Sequence, residues 1–529
     1  MPPTMHHALT IPELLHENFQ HISNEDLRRN VSTVCKRWIN VSVRITWHTL
    51  HDLTPLLRLI GEIEWEDHLT PGNDFLNTCK FRSLHGDWTR FDFYNRHVRI
   101  LYLGETATNY QPALSAFAML RSGTAFLPNL QEFEWRGYRE DWMASVFMMH
   151  NSITTFSLWV EFSFSEEQVG RYFDLIVARM PHLEHFYISG MDIEETLPFS
   201  RTLELLVPRL TDLKYIQFPA FNNTFPIISA TSSLSRITNI RIDDAPSNMP
   251  LLSSAPPCIL PSQLEILHVT MAFRDAARLF HMALPYLSDI TLVSRQAEVP
   301  LTVSHLTGAI SQSCRNLRKL HLDSAETRQG GPGGQVVVGV ADDCVTIADI
   351  APLFSCSAMK RFSIQHAYPL PLHDSDIRTL LTKWPALENL ELNSFPSSSL
   401  AQGVSVPLPD WSTLALFAQY GRHLFSLGLY MNGGGNVPNV GNSYPFRAQL
   451  EVFRMGGSLT NRGASGQARF LSYILPPGCT LLTPFTQVPK LVSEFQQVRA
   501  EEREAKSQLE REVIELRARL ASLESLKSV

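Results

Sequence analysis

His16, Glu17 and His21 are this chain's nearest approach to a metal motif, because a zinc peptidase needs H-E-x-x-H to bring two imidazoles onto one helix face. Here the second histidine falls one residue late, which turns it about 100° off that face. The cysteines, Cys35, Cys79, Cys258, Cys314, Cys344, Cys356 and Cys479, are odd in number and never spaced C-x-x-C. That pattern fits neither a zinc ribbon nor a disulfide framework, and it predicts scattered, buried thiols in a reducing compartment. The Gly-rich stretches Gln329–Gln335 and Asn432–Asn442 contain neither G-K-[ST] nor G-x-G-x-x-G, so flexible insertion accounts for them better than a phosphate cradle. No G-x-S-x-G nucleophile turn occurs. The expectation is a chain that is not an enzyme and carries no cofactor or metal, so that function must come from its surfaces.

Composition bounds what those surfaces meet. Of 529 residues, 44% are hydrophobic and 18% charged, ordinary values for a chain that folds, and the formal net charge is −7. No block of Lys and Arg stands out to supply the electrostatic part of nucleic-acid binding. No apolar run is long enough for a membrane span, and Met1 to Leu15 lacks a signal-peptide core. Nucleic acid and membrane are therefore not expected partners, and a soluble protein of the cytoplasm or nucleus, or both, is.

Two kinds of element must position any functional residue. The first is a short helical module over residues 11–50, after a disordered start over 1–10. Ile11-Pro12-Glu13-Leu14-Leu15 opens a helix with Phe19 and Ile22 on its apolar side, Pro12 sitting where a missing N–H costs little. Ser23 and Asp26 give an S-x-x-D start for a second helix, with Leu27, Val31, Val34, Cys35 and Trp38 at helical spacing. Val41, Ile45, Trp47 and Leu50 predict a third. So small a bundle is marginal alone and gains from a partner covering its apolar surface.

Ile11-Pro12-Glu13-Leu14, Phe19, Asp26-Leu27 and Val34-Cys35-Lys36-Arg37-Trp38 together resemble the F-box family pattern. Asn18 stands where that family carries an apolar residue. The resemblance covers about a tenth of the chain. It implies docking onto a Skp-type adaptor, and through it a cullin, by Pro12, Leu14, Phe19, Leu27, Val34 and Trp38.

The second element is a repeat. From Val98 onward the phrase L-x-x-L-x-L, with other apolar residues substituting, returns at Val98, Leu130, Ile153, Leu183, Leu213, Ile237, Leu264, Leu287, Leu317, Met359, Leu387, Leu424 and Leu450. Starts lie mostly 23 to 32 residues apart, with two stretched intervals of 42 and 37, around the period of leucine-rich repeats. The last two apolar residues of each phrase alternate with a polar one, as a short half-buried strand requires. Between phrases, Ser165-Glu166-Glu167-Gln168 is a capping box opening a helix with Val169, Tyr172, Phe173 and Ile176 on one face, and Ile377, Leu380, Leu381 and Trp384 repeat the arrangement. Pro181 and Pro385 stop those helices and deliver an extended chain. An asparagine that turns the chain after the strand stands in register only at Asn432.

The resemblance here is to irregular leucine-rich repeats. The predicted fold is α/β: a small N-terminal helical F-box, a linker or capping region over 51–97, and a solenoid over 98–488 with parallel strands on a concave face and helices on a convex one. Loop insertions are expected near 245–261, 325–344 and 430–446, and a C-terminal helix over 489–529. Residues between the inward apolar pairs fall on the exposed sheet face, and among them Tyr187, Arg241, His268, His321 and Glu391 are the candidate protein-substrate contacts. In the tail, Leu509, Val513, Leu516, Leu520 and Leu523 step by four and three, the seam of a short coiled coil. Folding back on the array and self-association both fit that seam. For the whole chain, a substrate-recognition subunit of a ubiquitin ligase and a non-ligase scaffold are the two readings to separate.

Overall fold

The computed structural model describes residues 11–69, 75–84, 86–104, 108–121, 123–136, 139–159, 165–190, 197–221, 224–243, 258–324, 343–396, 406–434, 436–438, 445–447, 449–456, 464–483 and 487–527. The start over 1–10 and most of the three expected insertions lie outside the described residues. The chain divides into two compact units, Met1–Thr270 and Met271–Val529.

The first unit begins with the small bundle. Helix Pro12–Phe19 has its proline in the first turn, and Ser23 caps Asn24–Asp26 by accepting from the Asp26 amide. The predicted second helix does not run through to Trp38. It widens at Leu27–Val31, where the Ser32 amide reaches back five residues to the Leu27 carbonyl, then stops, and a new helix Lys36–Thr46 starts after an extended Cys35. The hydroxyl run explains the break: Ser32 Oγ donates to the Arg28 carbonyl and Thr33 Oγ1 to that of Asn30 (2.8 Å), local bonds that compete with a continuing helix. Trp47 leaves the third helix to stack on Tyr94.

A parallel ladder follows: Thr49–Leu50, Ile100–Leu103, Glu132–Arg136, Thr155–Trp159, His185–Ser189, Tyr215–Pro219, Asn239–Asp243 and Ile266–Thr270. The region 51–97 is more than a linker. Besides helices Thr54–Ile60 and Trp88–Asn95 it holds an antiparallel pair, Glu62–Leu69 with Phe75–Ser83, extended in parallel by Thr108–Asn109.

The second unit has its own parallel ladder, Asp289–Val293, Lys319–Ser324, Arg361–His366, Asn389–Leu392, Ser426–Leu429, Val452–Arg454 and Thr480–Leu482. All thirteen phrases read from the sequence lie on these two ladders, each with its three apolar residues buried. The repeated unit is of the leucine-rich-repeat solenoid type: strand, turn, then a helix or a short helical turn packed on the apolar face. Ser165 and Gln168 form the expected capping box, and Trp384 closes the Asp374–Lys383 repeat with its indole N–H donating to the Leu353 carbonyl at 3.2 Å.

The strand-ending asparagine is Asn393, not Asn432. Asn393 is fully buried at φ 48°, a left-handed conformation that asparagine tolerates better than most residues. Its side chain accepts the His366 amide at 3.0 Å and donates to the Tyr368 carbonyl at 2.5 Å. Asn432 is exposed, and its side chain turns its own loop by accepting the Gly434 amide at 3.1 Å, while its backbone amide donates to the Pro409 carbonyl at 2.8 Å.

Candidate functional site

The adaptor candidates separate by burial. Leu15, Phe19, Leu27, Val31 and Val41 form the core of the bundle, with Ile22, Trp38 and Ile45 packed against it. Phe19 and Leu27 thus hold the module together and present no surface to a partner, a correction to their expected contact role. Trp38 is half-buried, its ring edge-on to Phe19 at 5.2 Å between centroids. Pro12 is exposed, Leu14 is 45% exposed and Val34 51%. Two of these bulky apolar side chains sit on a helix whose opposite face is packed or in the turn the hydroxyl run creates, and folding leaves them uncovered. Asn18, one turn after Leu14, donates to the Leu14 carbonyl at 2.6 Å, which places a polar group beside that surface.

The sheet face is built by register. Because side chains alternate along a strand and neighbouring strands stand about 4.8 Å apart, residues far apart in sequence line up in rows. In the first unit one row runs Tyr102, Glu134, Ser157, Tyr187, Gln217, Arg241, His268. Tyr187 lies 4.8 Å from the Tyr215 ring, the Tyr215 hydroxyl donates to Gln217 at 2.8 Å, and Arg241 is tied to Asp243 at 2.7 Å. Burial pushes the Tyr215 hydroxyl up to about 12, and the hydrogen bond to Glu132 does the same for Tyr102. These phenols stay protonated donors. The predicted Tyr187, Arg241 and His268 therefore share one half-exposed row, with Arg241 already paired.

In the second unit the row runs Thr291, His321, Ser363, Glu391, Gly428, Arg454. The predicted His321 and Glu391 line the same hollow of about 390 Å³, together with Lys319, Arg361 and Arg454. Glu391 is committed: it accepts from Gln365 at 2.9 Å and Ser394 at 2.6 Å and faces Arg454 at 3.9 Å. Gly428 leaves room for it, since a Cβ there would stand 3.0 Å from Glu391 Cγ.

Sequence reasoning passed over the neighbouring row, Asp289, Lys319, Arg361, Asn389, Ser426. Lys319 pairs with Asp289 at 2.7 Å. Arg361, beside it on the next strand, is exposed and has no carboxylate partner among the described residues. It also lines a second, more apolar groove of about 650 Å³ with Pro385, Ala386, His423 and the exposed Phe425. The only sequence signal for this place was a charged residue opening the three successive strands at Asp289, Lys319 and Arg361.

The groups with chemical potential elsewhere are occupied by the fold. Glu298, 3% exposed, accepts the Phe273 amide at 2.9 Å, Ser294 at 2.6 Å and Thr302 at 2.9 Å. His366 is fully buried with Nε2 2.7 Å from the Glu298 carbonyl. Cys79, Cys258, Cys314, Cys344 and Cys356 are buried, and burial raises their thiols, Cys79 and Cys258 to about 11 and Cys314 to about 12. Among the described residues no group of three or more His, Cys, Asp or Glu is placed to hold a metal ion, and no helix is long and apolar enough to cross a membrane.

Comparisons with known proteins give distant likenesses. No protein-family model matches the chain, and no curated protein does. Among solved structures, the crystal structure of the Rad7 and Elc1 complex in yeast matches at 11% identity and TM-score 0.34, over 90% of this chain and 94% of that one. The TLR13–ssRNA13 complex matches at 12% identity and TM-score 0.32, over 80% of this chain and 50% of that one.

Proposed function

We propose that this chain is a substrate-recognition subunit of a Skp-cullin-F-box type ubiquitin ligase. In this reading the amino-terminal bundle docks a Skp-type adaptor, and the sheet face of the repeats holds a protein substrate. The observation that carries it is the split within the bundle: Phe19, Leu27 and their neighbours are used up in the core, while Pro12, Leu14 and Val34 remain uncovered. Exposed apolar side chains on so small a module are what a partner would cover. The chain's own part in catalysis is then positional, holding substrate lysines near the conjugating machinery so that transfer becomes effectively intramolecular.

The groove around Arg361 gives the substrate end its chemistry. An unpaired guanidinium beside an apolar hollow suits a peptide that places an acidic side chain next to a bulky apolar one. Asn18 favours the rival reading, a scaffold whose bundle has lost its adaptor, because it sets an amide beside Leu14. Co-expression with a Skp-type adaptor separates the two. The intact chain is expected to bring the adaptor down and a Leu14→Asp variant is not; failure of the intact, folded chain to retain any adaptor overturns the ligase reading.

A further inference from the structure

The carboxy-terminal helix Gln487–Lys527 changes surroundings along its length. Its first turns lie against the last repeat helix, Ala464–Ile474: Val488 and Val492 are buried, Gln496 Nε2 reaches the Leu475 and Pro476 carbonyls at 3.4 Å, and the Arg499 guanidinium sits 5.4 Å over the Tyr473 ring. From Ala500 to Ala518 every residue is exposed. The stripe within that stretch is apolar: Leu509 is 61% exposed, Val513 44% and Leu516 61%. Most of a helix's stability in a protein comes from packing of its apolar face, and the regular apolar stripe along this one lacks an occupant.

The spacing identifies the occupant. Counting heptads from the stripe, Leu509 and Leu516 take d and Val513 takes a, and the sequence continues the order at Leu520 and Leu523. A β-branched residue at a with leucines at d is the combination that favours two parallel strands. The flanks agree. Glu512 takes g and Arg517 the following e, so in a parallel pair each Glu512 meets the other chain's Arg517; Arg519 and Glu524 repeat the opposite-sign order in the sequence. Neither Glu512 nor Arg517 has an ion pair within the chain among the described residues.

We infer that the exposed half of this helix is a self-association surface on which a second copy of the chain packs in parallel, through Leu509, Val513 and Leu516 with Glu512–Arg517 pairs alongside. The seam spans little more than two heptads, so the dimer is concentration-dependent rather than obligate. Each dimer would display two bundles and two arrays, raising the effective concentration of a second binding event on any partner with two sites.

Sedimentation equilibrium on the full chain tests this. The weight-average mass is expected to rise with concentration from one chain toward about twice that, as a closed two-fold pair requires. Leu516→Glu should hold the mass at one chain. Glu512→Arg should weaken the pair, and the double variant Glu512→Arg/Arg517→Glu should restore it. Val513→Cys should form an interchain disulfide on mild oxidation well beyond the wild-type background, because a faces a in parallel pairs. A wild-type chain that stays monomeric to its solubility limit overturns the inference. So does a dimer indifferent to Leu516→Glu, a trimer, a charge swap that fails to restore pairing, or a Val513→Cys dimer that does not cross-link.

Discussion

The bundle can be taken apart so that folding and docking report separately. Phe19 is 4% exposed and contacts Trp38 edge-on, so Phe19→Ala removes a buried ring and should cost roughly 3–5 kcal/mol. A module of about 40 residues has little more stability than that to lose. Leu14 is different. With 45% of it already in water, Leu14→Asp should change the bundle's stability by no more than about 0.5 kcal/mol. If a Skp-type adaptor covers that side chain, the variant forfeits about 1 kcal/mol of apolar burial and adds the desolvation of an unpaired carboxylate, about 1–3 kcal/mol. Together that is about 2–4 kcal/mol, or roughly 30- to 1,000-fold in Kd. Val34→Asp should behave like Leu14→Asp. The assay is titration calorimetry against purified adaptor, run beside amide exchange across Lys36–Thr46. Phe19→Ala should lose exchange protection and binding together, whereas Leu14→Asp and Val34→Asp should lose binding alone. Adaptor affinity within about threefold of wild type in both surface variants, a difference under about 0.7 kcal/mol, refutes the reasoning.

Asn393→Ala should deprotect the strand ends it ties together: two buried hydrogen bonds and a left-handed φ amount to about 3 kcal/mol, read as a His366 amide exchanging roughly 100-fold faster; exchange within about threefold of wild type would remove Asn393 from its turn role. His97 supplies a pH dependence. Burial, then the charges of Arg96, Arg44 and Arg99, depress it to about 4 from an ordinary 6.5, and its Nε2 is buried without a hydrogen bond. The unfolded chain therefore binds the proton more readily between those values. The stability that neutral His97 contributes is complete above pH 6.5 and is lost as pH falls toward 4. His97→Gln should flatten that part of the urea-midpoint profile, and an unchanged slope would show that other groups govern it.

The repeat was legible because its period carries the fold: each phrase needs three apolar residues at fixed offsets, and all thirteen landed on strands. The end strands Thr49–Leu50 and Thr480–Leu482 escaped because neither displays the full triplet. Glu62, Glu64, Glu66 and Asp67 hid the pairing of Glu62–Leu69 with Phe75–Ser83, since a strand so charged looks like linker in composition. The asparagine was sought in a later repeat, three residues past the end of its strand, whereas Asn393 follows its strand directly. Within the bundle, periodicity found the apolar residues but could not divide them. Phe19 and Leu14 are both apolar on one helix, and only the packing of the Lys36–Thr46 helix decides which of them is core. Arg361 was invisible for a related reason: its meaning depends on Lys319, a neighbour 42 residues away in the chain and one strand away in the ladder.

That pair also makes a prediction opposite in sign for stability and for binding. Lys319 and Arg361 are cross-strand neighbours of like charge, an arrangement that costs up to about 1 kcal/mol against a neutral pair. Asp289 offsets the charge of Lys319 only. A fold selected for stability alone gains by placing a carboxylate at 361, where it would meet Lys319 directly. Arg361→Glu should accordingly raise the melting temperature by a degree or two, the shift expected of about 0.5 kcal/mol in a unit of this size. The same variant should lose the proteins that proximity labelling with the full chain recovers under proteasome inhibition, while adaptor binding stays unchanged. If Arg361→Glu instead destabilises the second unit, the arginine is a structural residue of the ladder, and the groove around it has no claim to an acidic ligand. If it stabilises the unit and the labelled set is unchanged, substrates are held elsewhere on the sheet face.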